Sequence, residues 1–185
     1  MACEDKVLNK VEYCAAQETK FAGFNRKVAI GLHNDVLTWP TFNATAGSGE
    51  DESDVAVKTS GAFAWKTDKC FQPLEGIVEQ VGMNTKASGK GFVTELTTRI
   101  QNTPHNRGWL ANQVSGEFVI AAQEADETFY DLLGRKDFPA KMKKDSAQVE
   151  FGKAFNDDEF IELVFEFKPY MPAIYTGAVS YTPAT

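Results

Sequence analysis

One run, Phe160–Lys168 (FIELVFEFK), constrains the fold more than any other stretch of this chain. Ile161, Leu163, Phe165 and Phe167 alternate with Glu162, Val164, Glu166 and Lys168. On an extended strand successive side chains point to opposite faces, so this period builds one apolar face and one largely charged face. Pro169 and Pro172 then stop the strand, because proline has no amide proton to give a ladder. A strand with that much aromatic surface on one side needs a second layer to cover it, which points to a sandwich or a barrel. Gly91–Gln101 (GFVTELTTRIQ) repeats the pattern, with Phe92, Leu96 and Ile100 sharing a face with Thr94 and Thr98. Val93, Glu95, Thr97 and Arg99 take the other face, and the β-branched residues favour strand over helix.

The rest of the chain carries shorter signals of the same kind. Val28, Ile30 and Leu32 fall on one side of a strand in FNRKVAIGLHND, and VLTWPTF follows with Pro40 at its edge. After residue 54 come VAVKT, GAFAWKT and KCFQPLEGIVEQVG, punctuated by Gly61, Gly76 and Gly82. EFVIAAQ and ETFYDLLG are expected to pair as a hairpin across Ala125-Asp126. SAQVEFGKAF and EFIELVFEFK form a second hairpin candidate across Asn156-Asp157-Asp158. Thr103-Pro104 reads as an N-cap and first helical residue, opening one helix over His105–Val114. Its inner face is Trp109, Leu110, Gln113 and Val114, and Gly108 is its weak point. The pattern predicts about eight to ten short strands and one helix. The expected architecture is mainly β: a sandwich or barrel with one flanking α-helix, a long loop and extended terminal arms. We read residues 1–185 as a single domain, with an arm over 1–20, an exposed acidic loop over 43–54 and a tail over 169–185.

Composition narrows the functions available. The formal net charge is −7 and the sequence pI about 4.9, which opposes a nucleic-acid surface built on Lys and Arg. An acidic wall past which DNA must slide without sticking remains compatible, because like charges repel. Cys3, Cys14 and Cys70 are odd in number and widely spaced, giving no disulfide framework and suggesting reduced thiols. No apolar leader-like region opens the sequence and no run reaches the length of a membrane helix, so a soluble chain without a membrane partner is expected. His33 and His105 lie far apart with no second His or Cys at ligand spacing, so no metal is expected. The acids of Asn156–Glu159 lack the spacing of a calcium loop. No G-x-S-x-G elbow and no phosphate loop is present, and Cys70 has no local His partner. No catalytic residue and no cofactor is therefore expected, and the chain is not read as an enzyme.

Two charged segments stand out. Glu50, Asp51, Glu52 and Asp54 crowd one short Gly- and Ser-rich stretch. RKDFPAKMKK brings Arg135, Lys136, Lys141, Lys143 and Lys144. Opposite patches on one chain suit head-to-tail contact between copies, in which one surface meets a different surface of the next copy. Glu162 and Glu166 share the charged face of the long strand, either as a plain wet face or as the lining of a passage. Trp39, Trp65 and Trp109 are read as core residues, with a sugar-binding platform as the alternative.

The order of segments across Gly91–Gly177 resembles the tail tube (major tail) proteins of tailed bacteriophages. The likeness rests on GFVTELTTRI, PHNRGWLANQ and EFVIAAQ in succession, and above all on DLLGRKDFPAK and the FGKAFNDD turn before the long strand. AGFNRKVAIGLHNDVLTWP also resembles the opening of some phage virion proteins. The resemblance implies copies joined edge to edge in a hexameric ring, rings stacked as a tube, and DNA passing without specific binding. It further implies other virion proteins as partners, assembly in the host cytoplasm and residence in the virion. The alternatives are a head-decoration or connector protein and a carbohydrate-binding β module.

Overall fold

Fourteen strands and one α-helix form among the residues that the computed structural model describes, which are 24–42, 58–75, 81–89, 91–124, 129–149 and 159–183. In chain order the strands begin with β1 (Phe24–Leu32), β2 (Val36–Thr38), β3 (Thr41–Phe42), β4 (Lys58–Ser60), β5 (Ala64–Trp65), β6 (Gln72–Glu75) and β7 (Gly82–Ser88). They continue with β8 (Gly91–Gln101), β9 (Glu117–Glu124), β10 (Tyr130–Leu133), β11 (Ala140–Met142), β12 (Gln148–Val149), β13 (Phe160–Phe167) and β14 (Ala173–Tyr175). Helix α1 (Pro104–Gln113) lies between β8 and β9. The mainly β architecture with a single helix is thus the one expected. The strand count exceeds expectation because β2, β3, β4, β5, β11, β12 and β14 span only two or three residues: VLTWPTF holds two of them, β2 and β3, and β11 and β14 fall in segments read as a connector and a tail.

Strand β9 is the hub. Along one edge it pairs antiparallel with β1, from Leu32↔Phe118 to Val28↔Ala122. Its other edge is shared: β10 takes Ile120 to Ala122, and β11 takes Glu117 and Phe118. Two branches leave from there, β10-β14-β4-β3 on one side and β11-β13-β8-β7 on the other. Both predicted hairpins have their strands paired as expected, β9 with β10 and β12 with β13. In the second, residues 150–158 lie outside the described residues. The β3–β4 rungs Thr41↔Ser60 and Phe42↔Thr59 place residues 43–57 between the arms of a hairpin. Arm 1–20 and loop 43–54 themselves fall outside the described residues.

The fork produces two cores on opposite sides of β1 and β9. The first contains Val28 and Ile30 of β1, Phe118 and Ile120 of β9, Leu96 and Ile100 of β8, and the whole apolar face of β13. Helix α1 closes it with Trp109, Leu110 and Val114, as the pattern predicts. The predicted cap also forms, with Thr103 Oγ1 accepting from the Asn106 amide at 3.1 Å. The second core uses the alternate residues Ala29, Val119 and Ala121, together with Phe71, Leu132, Ala173 and Tyr175. Trp39, Phe63 and Trp65 pack against it. Gly31 in β1 is needed there, since a Cβ on it would overlap the Trp65 indole. Small residues on this face of β1 and β9 let the bulky rings approach the sheet closely.

Several single expectations need correction. Phe92 does not share the burial of Leu96 and Ile100 and is 38% exposed. It lies beyond Thr94↔Phe167, the last rung between β8 and β13, where its amide donates to the Pro169 carbonyl at 2.8 Å. Val164, on the charged side of β13, is buried, at a point where the Lys143 amide extends the β11–β13 pairing by donating to the Val164 carbonyl at 2.8 Å. Cys70 is buried as expected but precedes β6 instead of lying within a strand, and its Sγ accepts from Gln72 Nε2 at 3.3 Å. The segment from residue 169, read as a tail, contributes β14 with Ala173 and Tyr175 in the core.

Candidate functional site

The charged face of the β7-β8-β13-β11 branch is ordered in rows. Cross-strand register aligns Asn84, Glu95, Glu166, Lys141 and Glu117. A second row aligns Arg99, Glu162 and Gln148. Glu95 and Glu166 stand directly opposite one another, which by itself is unfavourable. Lysines relieve it: Lys143 Nζ lies 2.8 Å from Glu95 and Lys168 Nζ 2.9 Å from Glu166. The hydrogen bond from Lys143 is the main cause holding the Glu95 carboxyl below the usual glutamate value. Lys141 pairs with Glu117 at 3.0 Å, and Arg99 Nε with Glu162 at 2.7 Å while its guanidinium lies 4.2 Å from the Phe160 ring centre. Glu162 and Glu166 are therefore members of a face of mixed sign, with a cation beside each.

The basic segment does not form one patch. Lys141 and Lys143 lie on this same face against glutamates of their own chain. Lys144 opens a 3-10 turn over Lys144–Ser146. Arg135 and Lys136 are elsewhere, at a groove on the opposite branch. The separation follows from the fold: residues 135–138 make a tight turn before β11, and the strand then carries the chain away. Glu50, Asp51, Glu52 and Asp54 lie outside the described residues.

The groove at Arg135 has a volume of about 510 Å³ and is built where three aromatic–proline pairs converge: Trp39-Pro40, Phe138-Pro139 and Pro169-Tyr170. Proline keeps the aromatic that precedes it, here Trp39 and Phe138, out of helix and on an extended segment. Arg135 and Phe138 are locked together by reciprocal backbone bonds of 2.8 and 3.0 Å, leaving Lys136-Asp137 at the tip of the turn. Gly134, at φ +113°, makes the approach to that turn in a conformation other residues rarely adopt. His33 Nε2 donates to the Arg135 carbonyl at 2.9 Å and so carries the proton, and its ring lies 4.8 Å from that of Trp39.

The Arg135 guanidinium is held between two rings, with centroids 4.7 Å away at Phe42 and 4.3 Å at Tyr170. Phe138 meets Tyr170 edge-on at 5.1 Å. Burial pulls the Arg135 pKa below its ordinary value, and its Nε is enclosed without a hydrogen-bond partner. The rim is apolar and open: Leu37 is 64% exposed, Tyr170 39% and Phe138 38%. Sequence reasoning flagged Arg135 and Lys136 but missed Leu37, Phe42, Phe138 and Tyr170. The signal was the three aromatic–proline pairs.

The tryptophans are half-buried against the cores, Trp109 on the first and Trp39 and Trp65 on the second. Of the three, only Trp39 lines the groove. Among the described residues no group of three or more His, Cys, Asp or Glu is arranged to hold a metal, and no helix is long and apolar enough to cross a membrane. Strand β7 closes one end of the sheet order, with seven residues paired only to β8 among the described strands. Strand β6 also pairs on one side only, but Pro73 interrupts its run of donors. Comparison of the chain with protein-family models, with curated proteins and with solved structures found no match. Fold and surface together define a class: a two-core β protein with a seven-residue strand, β7, at one end of its described sheet and an arginine-centred apolar groove.

Proposed function

We propose that this chain is a structural subunit that works by binding copies of itself, as a tail tube protein of a tailed bacteriophage would. The observation that carries the reading is the edge at β7: seven consecutive residues with no proline, paired only with β8 among the described strands. Unpaired strand donors and acceptors template pairing with another chain unless they are blunted. The exposed side chains of β7, among them Asn84, Lys86 and Ser88, are polar, so an added strand would meet a solvated seam. In a ring, that edge continues the sheet into the next copy and the charge-paired face of β8 and β13 turns toward one side of the wall. Glu162 and Glu166 with their cations then offer passing DNA no net attraction. A head-decoration or connector protein would use the same edge.

Electron microscopy of the purified protein, with sedimentation velocity across a concentration series, tests the reading. Rings or tubes are expected. A monodisperse monomer at high concentration would overturn it. A carbohydrate-binding module is a second reading, favoured only by Trp39 beside the groove, and it requires Trp fluorescence to respond to sugars.

A further inference from the structure

We infer that the Arg135 groove is a docking site for a carboxylate-bearing, apolar-flanked segment of a second copy of this chain, namely Glu50–Val57. This inference rests on the self-association reading but concerns a different surface from the β7 edge. The groove supplies two kinds of recognition side by side. Arg135 is pinned between Phe42 and Tyr170, which fixes the direction of its guanidinium. A pre-oriented guanidinium in a half-dry site favours a carboxylate, whose planar oxygens match its fork. Lys136 adds a second cation at the tip of the turn, partly offset by Asp137. Around them Leu37, Phe138 and Tyr170 present apolar surface to solvent.

The chain holds a segment with matching order. Glu50-Asp51-Glu52-Ser53-Asp54 is followed at once by Val55-Ala56-Val57, so acids and apolar side chains come in one short run. Residues 43–57 contain no Lys or Arg to neutralise those acids. They connect the arms of the β3–β4 hairpin, and an extended chain spans about 3.3 Å per residue, so the midpoint, Glu50, can reach at most about 26 Å beyond the Phe42↔Thr59 rung. That distance suits contact with a neighbour. One such contact is weak alone, but repeated around an assembly it gains from the high effective concentration of tethered partners.

The probe is a synthetic Glu50–Val57 peptide titrated by calorimetry into the full-length protein. Binding that falls as salt rises is expected, weakened about tenfold or more by Arg135→Met, which corresponds to ~1.4 kcal/mol. A peptide with Gln and Asn in place of its acids should lose binding to a similar degree. If Arg135→Met fails to fold, Leu37→Asp and Lys136→Glu serve instead, because both residues are exposed and each should weaken binding severalfold. Equal binding by wild type and these variants would overturn the inference. So would a full-length variant carrying Glu50→Gln, Asp51→Asn, Glu52→Gln and Asp54→Asn that binds the peptide when wild type does not while both stay monomeric, since the groove would then be filled within one chain. Rings that persist in Arg135→Met, when the wild-type protein itself shows no peptide binding, refute this inference and leave the tube reading intact. Peptide binding by a chain that forms no larger particle keeps the groove and removes the tube.

Discussion

Val119 and Ile120 are neighbours on β9, both 0% exposed, and they point into different cores. A β protein with one wet face per sheet would tolerate truncation at one of them; this fold should tolerate it at neither. For Val119→Ala the two lost carbons contribute about 1.6 kcal/mol at ~0.8 kcal/mol per buried carbon. Incomplete collapse of the void adds up to about 1 kcal/mol. The expected loss is therefore ~2–3 kcal/mol, a sizeable share of the ~5–15 kcal/mol that holds an ordinary domain. At roughly 2–4 °C per kcal/mol for a chain of this size, the midpoint should fall by about 4–12 °C. Ile120→Ala should cost ~2–5 kcal/mol. Thr97→Ala, half-exposed on the charged face of β8, should stay within about 0.5 kcal/mol of wild type. Thermal and urea unfolding followed by circular dichroism give all three. If Val119→Ala behaves like Thr97→Ala, the second core does not exist as a packed layer and the groove loses its support.

Three further outcomes follow from the geometry. Tyr175 is fully buried and its pKa is raised, chiefly by that burial, so its contribution to stability is complete below the ordinary tyrosine value of 10.0 and lost as pH rises through the higher folded value. Tyrosinate absorbance from Tyr175 should thus appear only as the protein unfolds in alkali, and Tyr175→Phe should remove that step; early ionisation in an intact fold would refute the burial. Gly31→Val should displace the Trp65 ring and destabilise the protein by about 1–3 kcal/mol, visible as a red shift in Trp emission, whereas unchanged emission and midpoint would mean the close approach is not tight. Thr103→Ala should cost ~1 kcal/mol through the lost cap on α1, and Thr103→Ser should restore most of it.

Much of the fold was legible because its signals were local. The alternation of β13 and β8, the cap at Thr103 and both hairpins each depend on residues close together in sequence. What stayed hidden depends on distant pairings. The apolar character of EFVIAAQ permits a strand buried on both faces, but only the fork of the sheet decides that Ala121 faces one core and Ile120 the other. The parallel pairing of Ile174 and Tyr175 with Lys58 and Thr59 links segments more than a hundred residues apart and leaves no periodic trace. The charged face misled for the same reason. Glu162 and Glu166 read as an acidic stripe until register brought Arg99 beside one, and Lys168, the next residue on that face, folded back on the other.

The location of the unbalanced charge then bears on how copies can associate. On the β8–β13 face each of Glu95, Glu117, Glu162 and Glu166 has its own cation, so little field extends beyond a Debye length. The four acids of Glu50–Asp54 have no such neighbours in sequence, and among the described residues no carboxylate is paired with Arg135 in its ring clamp. Each chain carries one of each feature, so every copy can give one contact and receive one. Contact between unlike surfaces generates a closed ring or an open filament when the rotation between copies repeats, and stops at two copies only if the exchange is reciprocal. The β7 edge decides between those outcomes. A reciprocal pair would leave it unpaired in both copies, with its donors still able to recruit another strand. A ring that unites β7 with a neighbour's sheet while the hairpin arm reaches a groove satisfies both surfaces at once, and the chain should then assemble cooperatively, with few species between monomer and ring.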